Sequence, residues 1–298
     1  MLLCCMKTVK DVFAAYKEGL VLIYEPNEIE ATTLLAVSEI SGFSKAKIKA
    51  FPETMLTETQ QTKFTEVLEE LKTGKPIQYI LGSTEFYGLP FNVNPSVLIP
   101  RPETEELVAW VMESVGALKL AAGSILDIGT GSGCIAISLK KNIPGFNVSA
   151  LDISTEALET AKSNAVLNST DIQFIAADIL NLQTGNQISK SDIIVSNPPY
   201  VTLLDKLKMH TNVTDFEPHT ALFVPETDPL IFYRVIADFA IGNLNANGQL
   251  FFEINESYGE RTVQLIADKG FKNIELRKDM SGRDRMIRAV YSGSGSNS

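Results

Sequence analysis

The chain has 298 residues, 45% of them hydrophobic and 21% charged, enough to bury a full-sized core as one large domain or two smaller ones without staples. Its 26 basic residues are outnumbered by 36 acidic ones, a net charge of −10, which is the wrong sign for tracking a phosphate backbone; residues 1–75 (9 Lys against 11 acidic) and the remainder (17 against 25) are both acidic. No apolar run nears the roughly 18 residues that span a bilayer, and the opening residues lack a secretory cleavage site, so a cytoplasmic location is expected, with no membrane and no stable nucleic-acid partner.

From the start to about Lys75 the pattern is helical. Val9, Val12, Phe13 and Tyr16 recur at i, i+3, i+4 and i+7, and Phe64, Val67, Leu68 and Leu71 repeat that spacing. Thr57 with Gln60 three positions later has the form of a capping box, and Gly74 followed by Pro76 marks the helix end. This unit, residues 1–75, holds no chemistry-bearing cluster and is expected to bind or dock. Residues 76–97 alternate apolar, aromatic and turn residues, as short strands or a hairpin connector would. Pro100 and Pro102 then introduce a helix carrying Leu107, Val108, Val111 and Val115, with Glu103, Glu105 and Glu106 at its positive end.

From residue 124 short apolar strands alternate with helices: a strand ending at Asp127-Ile128, a helix over 134–141, a strand ending at Asp152, a helix capped by Ser154, a strand ending at Asp178 and a fourth over 192–196. That alternation predicts an α/β fold, a mostly parallel sheet with helices on both faces and ligand sites at the carboxyl ends of the strands. Further strand signal at 248–254 and 285–291 flanks a helix over 257–269, and residues 292–298 read as a flexible polar tail. Three cysteines, Cys4, Cys5 and Cys134, lack C-x-x-C spacing and read as reduced thiols. His210 and His219 lack metal-ligand spacing, so no metal is expected.

The first of these strands runs into Asp127-Ile128-Gly129-Thr130-Gly131-Ser132-Gly133, whose alternate glycines allow a sharp turn and a close backbone approach to a ligand. Asp152 follows Gly133 by 19 positions, where such folds place a carboxylate for ribose hydroxyls. Together these point to an adenosine-containing cofactor. The loop is G-x-G-x-G rather than the dinucleotide G-x-G-x-x-G, and Asp127 beside it would repel a pyrophosphate while suiting the cationic sulfonium and ammonium of S-adenosylmethionine. Asp178 can take the adenine amino group; its alternative role is to cap the residues that follow.

The fourth strand ends in Asn197-Pro198-Pro199-Tyr200, at the sheet edge where the cofactor's methyl group would lie. A conjugated NH2 is a poor nucleophile because its lone pair is delocalised. A site can help by holding both N–H bonds and aiming the nitrogen. Asn197 Oδ1 and the Pro198 carbonyl supply two acceptors, the proline pair stiffens the backbone, and Tyr200 can stack on the planar group. A plain Asn-Pro turn is the bland reading of the same residues.

The stretches 98–108, 126–139, 196–201, 216–223 and 280–289, with the Asn-Pro-Pro-Tyr motif among them, closely resemble the HemK family of peptide chain release factor glutamine N5-methyltransferases. The resemblance runs over nearly the whole chain. It implies a class I, Rossmann-like S-adenosylmethionine-dependent methyltransferase domain over residues 98–291, acting on the glutamine of the Gly-Gly-Gln tip of class-1 release factors. It also implies that the N-terminal helices help to recognise that protein. By position, Gly129 to Gly133 and Asp152 match the family's cofactor loop and ribose carboxylate, Asp178 and Ile179 its adenine side, and Asn197 to Tyr200 its glutamine-binding motif. Arg101 and Glu103 match as well, although a helix start explains them equally. The chain departs from the family at Val224 to Leu230, so substrate contacts there do not carry over. The rival readings are an N6-adenine or N4-cytosine nucleic-acid methyltransferase, which needs the same grip on an amine, and a non-catalytic binding module.

Overall fold

A computed structural model of the protein describes residues 6–182, 188–207, 209 and 211–293. Cys4, Cys5, His210 and residues 294–298 of the tail lie outside the described residues. The chain divides into two compact units, one of residues 1–83 with 210–216, the other of 84–209 with 217–298. Residues 210–216, from the middle of the expected catalytic stretch, thus go with the first unit.

The first unit is helical: α1 (Val9–Leu20), α2 (Pro26–Ser41), α3 (Lys45–Ala50), α4 (Glu58–Leu71) and α5 (Ile77–Leu81). Side chains fix the helix starts. Thr8 and Asp11 satisfy each other's backbone N–H at the head of α1, and Thr57 and Gln60 do the same at α4. Val9, Val12 and Tyr16 meet Phe64, Val67, Leu68 and Leu71 in one core, where the Tyr16 hydroxyl donates to the Phe64 carbonyl at 3.0 Å.

Residues 77–81 are a helix, not the strand expected of them. Pro76 precedes the turn, Gly82 closes it at φ 75°, and Ile77, Ile80 and Leu81 pack into the helical core. Five apolar residues between a proline and a left-handed glycine carry no period, so packing decides their form.

From residue 84 the second unit opens, with the rest of β1 (Ser83–Phe86) and β2 (Leu89–Asn92), joined through Tyr87 and Gly88 at φ 52° and 71°. After α6 (Pro102–Ala117) comes the repeating part: β3 (Gly123–Ile128), α7 (Cys134–Asn142), β4 (Phe146–Asp152), α8 (Thr155–Leu167), β5 (Gln173–Ala176) and β6 (Ser191–Ser196). Three short helices follow, α9 (Leu203–Lys206), α10 (Thr211–Phe216, in the first unit) and α11 (His219–Leu222). The chain closes with α12 (Ile231–Asn243), β7 (Leu244–Glu253), α13 (Gly259–Asp268), β8 (Lys272–Lys278) and β9 (Asp284–Tyr291).

The seven strands lie in the order β5-β4-β3-β6-β7-β9-β8, parallel from β5 to β7, with β9 antiparallel to both its neighbours. Their side chains alternate between two cores. Ile125, Ile193, Val195 and Phe251 pack with Leu107, Trp110 and Ile135, whereas Leu126, Ile194, Leu250 and Phe252 pack with Tyr233, Ile236 and Ile266. Strands covered on both faces read as unbroken apolar runs, which is why these three stand out in the sequence. The strand order reverses between β3 and β6, and the crevice at such a reversal is where open α/β sheets hold ligands.

Candidate active site

Three strand ends meet at that crevice. Beyond β3 the chain turns through Gly129, Gly131 and Gly133 at φ 74°, 54° and 82°. No atom lies within 4 Å of where a Cβ on Gly129 or Gly131 would stand, so both present bare backbone to open space. The loop is tied to β4: the Gly129 and Thr130 N–H groups donate to the Leu151 carbonyl at 2.8 and 3.0 Å. Gly131 N–H donates to Asp152 Oδ2 at 2.8 Å, and the other carboxylate oxygen accepts from Ser154 N–H at 2.9 Å. Burial raises the Asp152 carboxyl above its ordinary range, against these opposing backbone hydrogen bonds.

These residues wall a cavity of about 380 Å³, within the size of ordinary small-molecule sites. Gly129, Gly131, Asp152, Asp178, Ile179, Asn197, Pro198 and Pro199 line it, with apolar neighbours Leu151, Ile153, Phe223 and Ile231. Among the described residues its only charged side chains are Asp152 and Asp178. A pyrophosphate would meet two carboxylates and no cation there; a cationic, phosphate-free adenosine derivative fits.

Asp127, Thr130, Ser132 and Gly133, expected to bind the cofactor, do not line this cavity. They shape the loop from behind. Asp127 is fully buried, its Oδ2 accepts from the Thr130 hydroxyl at 2.6 Å, and Oδ1 has no hydrogen-bond partner; burial pushes its carboxyl up to about 7. The Ser132 carbonyl accepts from Asn164 Nδ2 at 2.9 Å, and a Cβ on Gly133 would come within 2.9 Å of Ile137 Cδ1. Asp178 does reach the cavity, and its side chain also performs the capping role, accepting from Leu180 N–H at 2.9 Å and Asn181 Nδ2 at 2.6 Å. Cys134 is a buried thiol pushed up to about 12 by desolvation, and His219 packs edge-on to Phe223 at 5.1 Å.

Asn197, closing β6, sits where the first cavity meets a second of about 460 Å³, and Pro198 lines both. The second cavity adds Tyr200, Arg101, Asp205, Asn255, Arg283 and Arg285. Asn197 Nδ2 donates to Thr104 Oγ1 at 3.1 Å, and Thr104 Oγ1 donates to Glu253 Oε2 at 2.6 Å. The Tyr200 hydroxyl donates to the other oxygen of Glu253 at 3.0 Å. Burial raises the Glu253 carboxyl, and burial together with the Glu253 charge holds the Tyr200 phenol well above its ordinary value. The motif is also pinned from outside: Asn255 Nδ2 donates to the Tyr200 carbonyl at 3.1 Å, and Val201 exchanges backbone hydrogen bonds with Leu222 and Val224 at 2.8 and 2.9 Å. Arg101 pairs with the buried Glu217 at 2.5 Å, and Glu217 also accepts from Ile99 N–H at 3.3 Å. The atypical stretch 224–230 contributes Pro225 to the first cavity and is held by an ion pair between Asp228 and Arg234.

Sequence reasoning did not single out Thr104, Glu217, Glu253, Asn255 or Arg285. Thr104, Glu217 and Arg285 lie within the stretches that carry the family resemblance, and Glu253 is an acidic residue closing an apolar strand at the same sheet edge as Asp152 and Asn197.

A parallel sheet reversing at β3, a glycine loop tied to a carboxylate at the end of β4, and an acidic, phosphate-averse cavity define a class I methyltransferase that uses S-adenosylmethionine. Family models match in two places, the methyltransferase small domain over residues 109–215 and the PrmC N-terminal domain over 24–82. The release factor glutamine methyltransferase of Flavobacterium psychrophilum is 48% identical over 95% of this chain and 99% of its own, and that of Bacteroides thetaiotaomicron 41% identical over 93% and 98%. The chain belongs to the release factor glutamine methyltransferase family. A crystal structure of a methyltransferase from Pyrococcus furiosus shares the fold at 16% identity, with a TM-score of 0.50 over 80% of this chain and 100% of that one. Among the described residues no helix is long and apolar enough to cross a membrane.

Proposed function

We propose that the protein methylates N5 of the glutamine side chain in the Gly-Gly-Gln motif of class-1 peptide chain release factors, in the cytoplasm. The observation that carries this reading is the amide of Asn197, anchored through Nδ2 and standing between an acidic cavity suited to the cofactor and a second cavity open to a substrate.

S-adenosylmethionine, when bound, supplies an electrophilic methyl group on a cationic sulfur. Asp152 would hold the ribose hydroxyls, the bare backbone of Gly129 and Gly131 would admit the cofactor closely, and Ile179 with Asp178 would flank the adenine. The glutamine nitrogen is a weak nucleophile. Asn197 Oδ1 and the Pro198 carbonyl accept its two N–H bonds, which aims the nitrogen at the methyl group and stabilises the positive charge it gains. Pro198 and Pro199 restrict the backbone that carries these acceptors, so little ordering is left to the moment of reaction. No general base is required, because the nitrogen sheds its proton after becoming cationic. Tyr200 is anchored through Glu253 and lines the second cavity. The helices of residues 1–75 dock the release factor, residues 76–97 connect, and residues 98–291 carry the chemistry.

The test is incubation with labelled S-adenosylmethionine and a purified class-1 release factor, and separately with duplex DNA, followed by mass spectrometry. One methyl group on the Gly-Gly-Gln glutamine and none on DNA is the expected result. Methylated adenine or cytosine would transfer the same grip to a nucleic-acid substrate and overturn the proposal.

A further inference from the structure

Glu253 lines neither cavity and lies 1% exposed, yet one of its oxygens accepts from Tyr200 of the substrate-gripping motif and the other from Thr104, which holds Asn197. We infer that Glu253, acting through Thr104, is the positioning residue that fixes which face of the Asn197 amide the substrate meets and so makes the site select glutamine over glutamate. The inference rests on the glutamine reading above and deepens it.

Proton counting forces the orientation. When ionised, Glu253 can only accept, so the single hydroxyl proton of Thr104 is committed to its Oε2 at 2.6 Å. Thr104 Oγ1 is then left as an acceptor, and the only half of the Asn197 amide that can face it is the NH2, which it meets at 3.1 Å. Because the amide is planar, fixing Nδ2 on Thr104 fixes Oδ1 on the opposite side. Among the described residues Oδ1 receives no hydrogen bond, while the Asn197 side chain borders both cavities.

The consequence is chemical. With Oδ1 turned to the substrate, Asn197 and the Pro198 carbonyl form a pair of acceptors, matched to an NH2 and repelling a carboxylate. Turned the other way, the same side chain would offer an NH2 donor, suited to a carboxylate and useless for holding a nucleophilic nitrogen. An asparagine alone is ambivalent, since its two ends differ only in donor and acceptor character. The Tyr200 hydroxyl occupies Glu253 Oε1, so the carboxylate cannot swing away from Thr104 without leaving the phenol unpaired.

The experiment compares wild type with Thr104→Val, Thr104→Ser and Glu253→Gln. For each we would measure kcat on a class-1 release factor, and the dissociation constants of that factor carrying either Gln or Glu at the Gly-Gly-Gln tip. Thr104→Val keeps the shape of the side chain and removes both hydrogen bonds. Cofactor affinity by calorimetry and the melting temperature identify variants that have merely misfolded.

Wild-type transfer to glutamine decides the proposed function, and the variants relative to wild type decide this inference. Wild type is expected to prefer the Gln tip by at least about 100-fold, since a site built to hydrogen-bond one partner can reach about 10⁴–10⁵-fold. Thr104→Val and Glu253→Gln should lower kcat at least tenfold and shrink the preference below about tenfold, with cofactor affinity unchanged and Thr104→Ser behaving as wild type. A Thr104→Val protein that keeps the wild-type preference, whether or not its kcat falls, would reduce Glu253 and Thr104 to structural support and overturn the inference. Should Glu253→Gln fail to fold, the Val and Ser pair at position 104 still decides it.

Discussion

The backbone N–H of Gly131 donates to Asp152 Oδ2 at 2.8 Å, so the glycine loop after β3 and the carboxylate closing β4 form one unit. The residue proposed to hold the ribose therefore also sets the shape of the loop that receives the rest of the cofactor. Asp152→Ala should weaken S-adenosylmethionine binding by about 1–3 kcal/mol, the usual cost of leaving charge-assisted hydrogen bonds unmade. Titration calorimetry reads this directly. Unchanged affinity would mean the ribose lies elsewhere along the cavity.

Asn197 borders the cofactor cavity but is anchored away from it, on Thr104. Asn197→Ala should thus lower kcat by a factor on the order of 100 or more, the loss seen when a fixed polar group at a reacting centre is removed. Cofactor affinity should change by no more than a few-fold. A variant with near-normal turnover would remove Asn197 from the proposed mechanism.

Much of the catalytic unit is legible in the sequence because both faces of its sheet are buried. Ile125-Leu126 and Ile193-Ile194-Val195 send alternate side chains into two cores, so they read as apolar runs with a helix between them. Other elements carry weaker signals. In α12, Phe232, Val235, Phe239 and Ile241 join Tyr233 and Ile236 in or against one core, leaving a helix too apolar all round for a clean period. In β8, an edge strand, Lys272, Glu275, Arg277 and Lys278 are interspersed with half-buried residues, which hides the strand alternation. The anchoring of Asn197 was out of reach for a different reason. Thr104 and Glu253 are 149 positions apart, and only the folded sheet brings α6 against the end of β7.

Two neighbours restrict position 133 to glycine. Its φ is 82°, and a Cβ would approach Ile137 Cδ1 to 2.9 Å and Ala161 Cβ to 3.2 Å. Gly133→Ala combines a left-handed backbone with overpacking between α7 and α8, and should destabilise the protein by about 2–4 kcal/mol. A melting curve measures it. By contrast, Gly129→Ala meets no atom within 4 Å, so only the backbone strain remains and the loss of stability should be smaller. Equal destabilisation at the two positions would mean that the packing of α7 on α8 adds nothing to the requirement for glycine at 133.

Asp127 gives a pH dependence with a definite sign. Burial raises its carboxyl from an ordinary 3.8 to about 7, so between these values the folded protein holds a proton that the unfolded chain has released. Stability must then fall as pH rises through that window, because the folded state is the one binding more protons. Asp152, Glu217 and Glu253 are raised by burial as well and push in the same direction. Asp127→Asn keeps the hydrogen bond from Thr130 while removing the ionisation, so its melting temperature should decline less steeply than that of wild type from pH 4 to 7. A pH series of thermal melts on the two proteins checks this, and parallel curves would place the proton on another group.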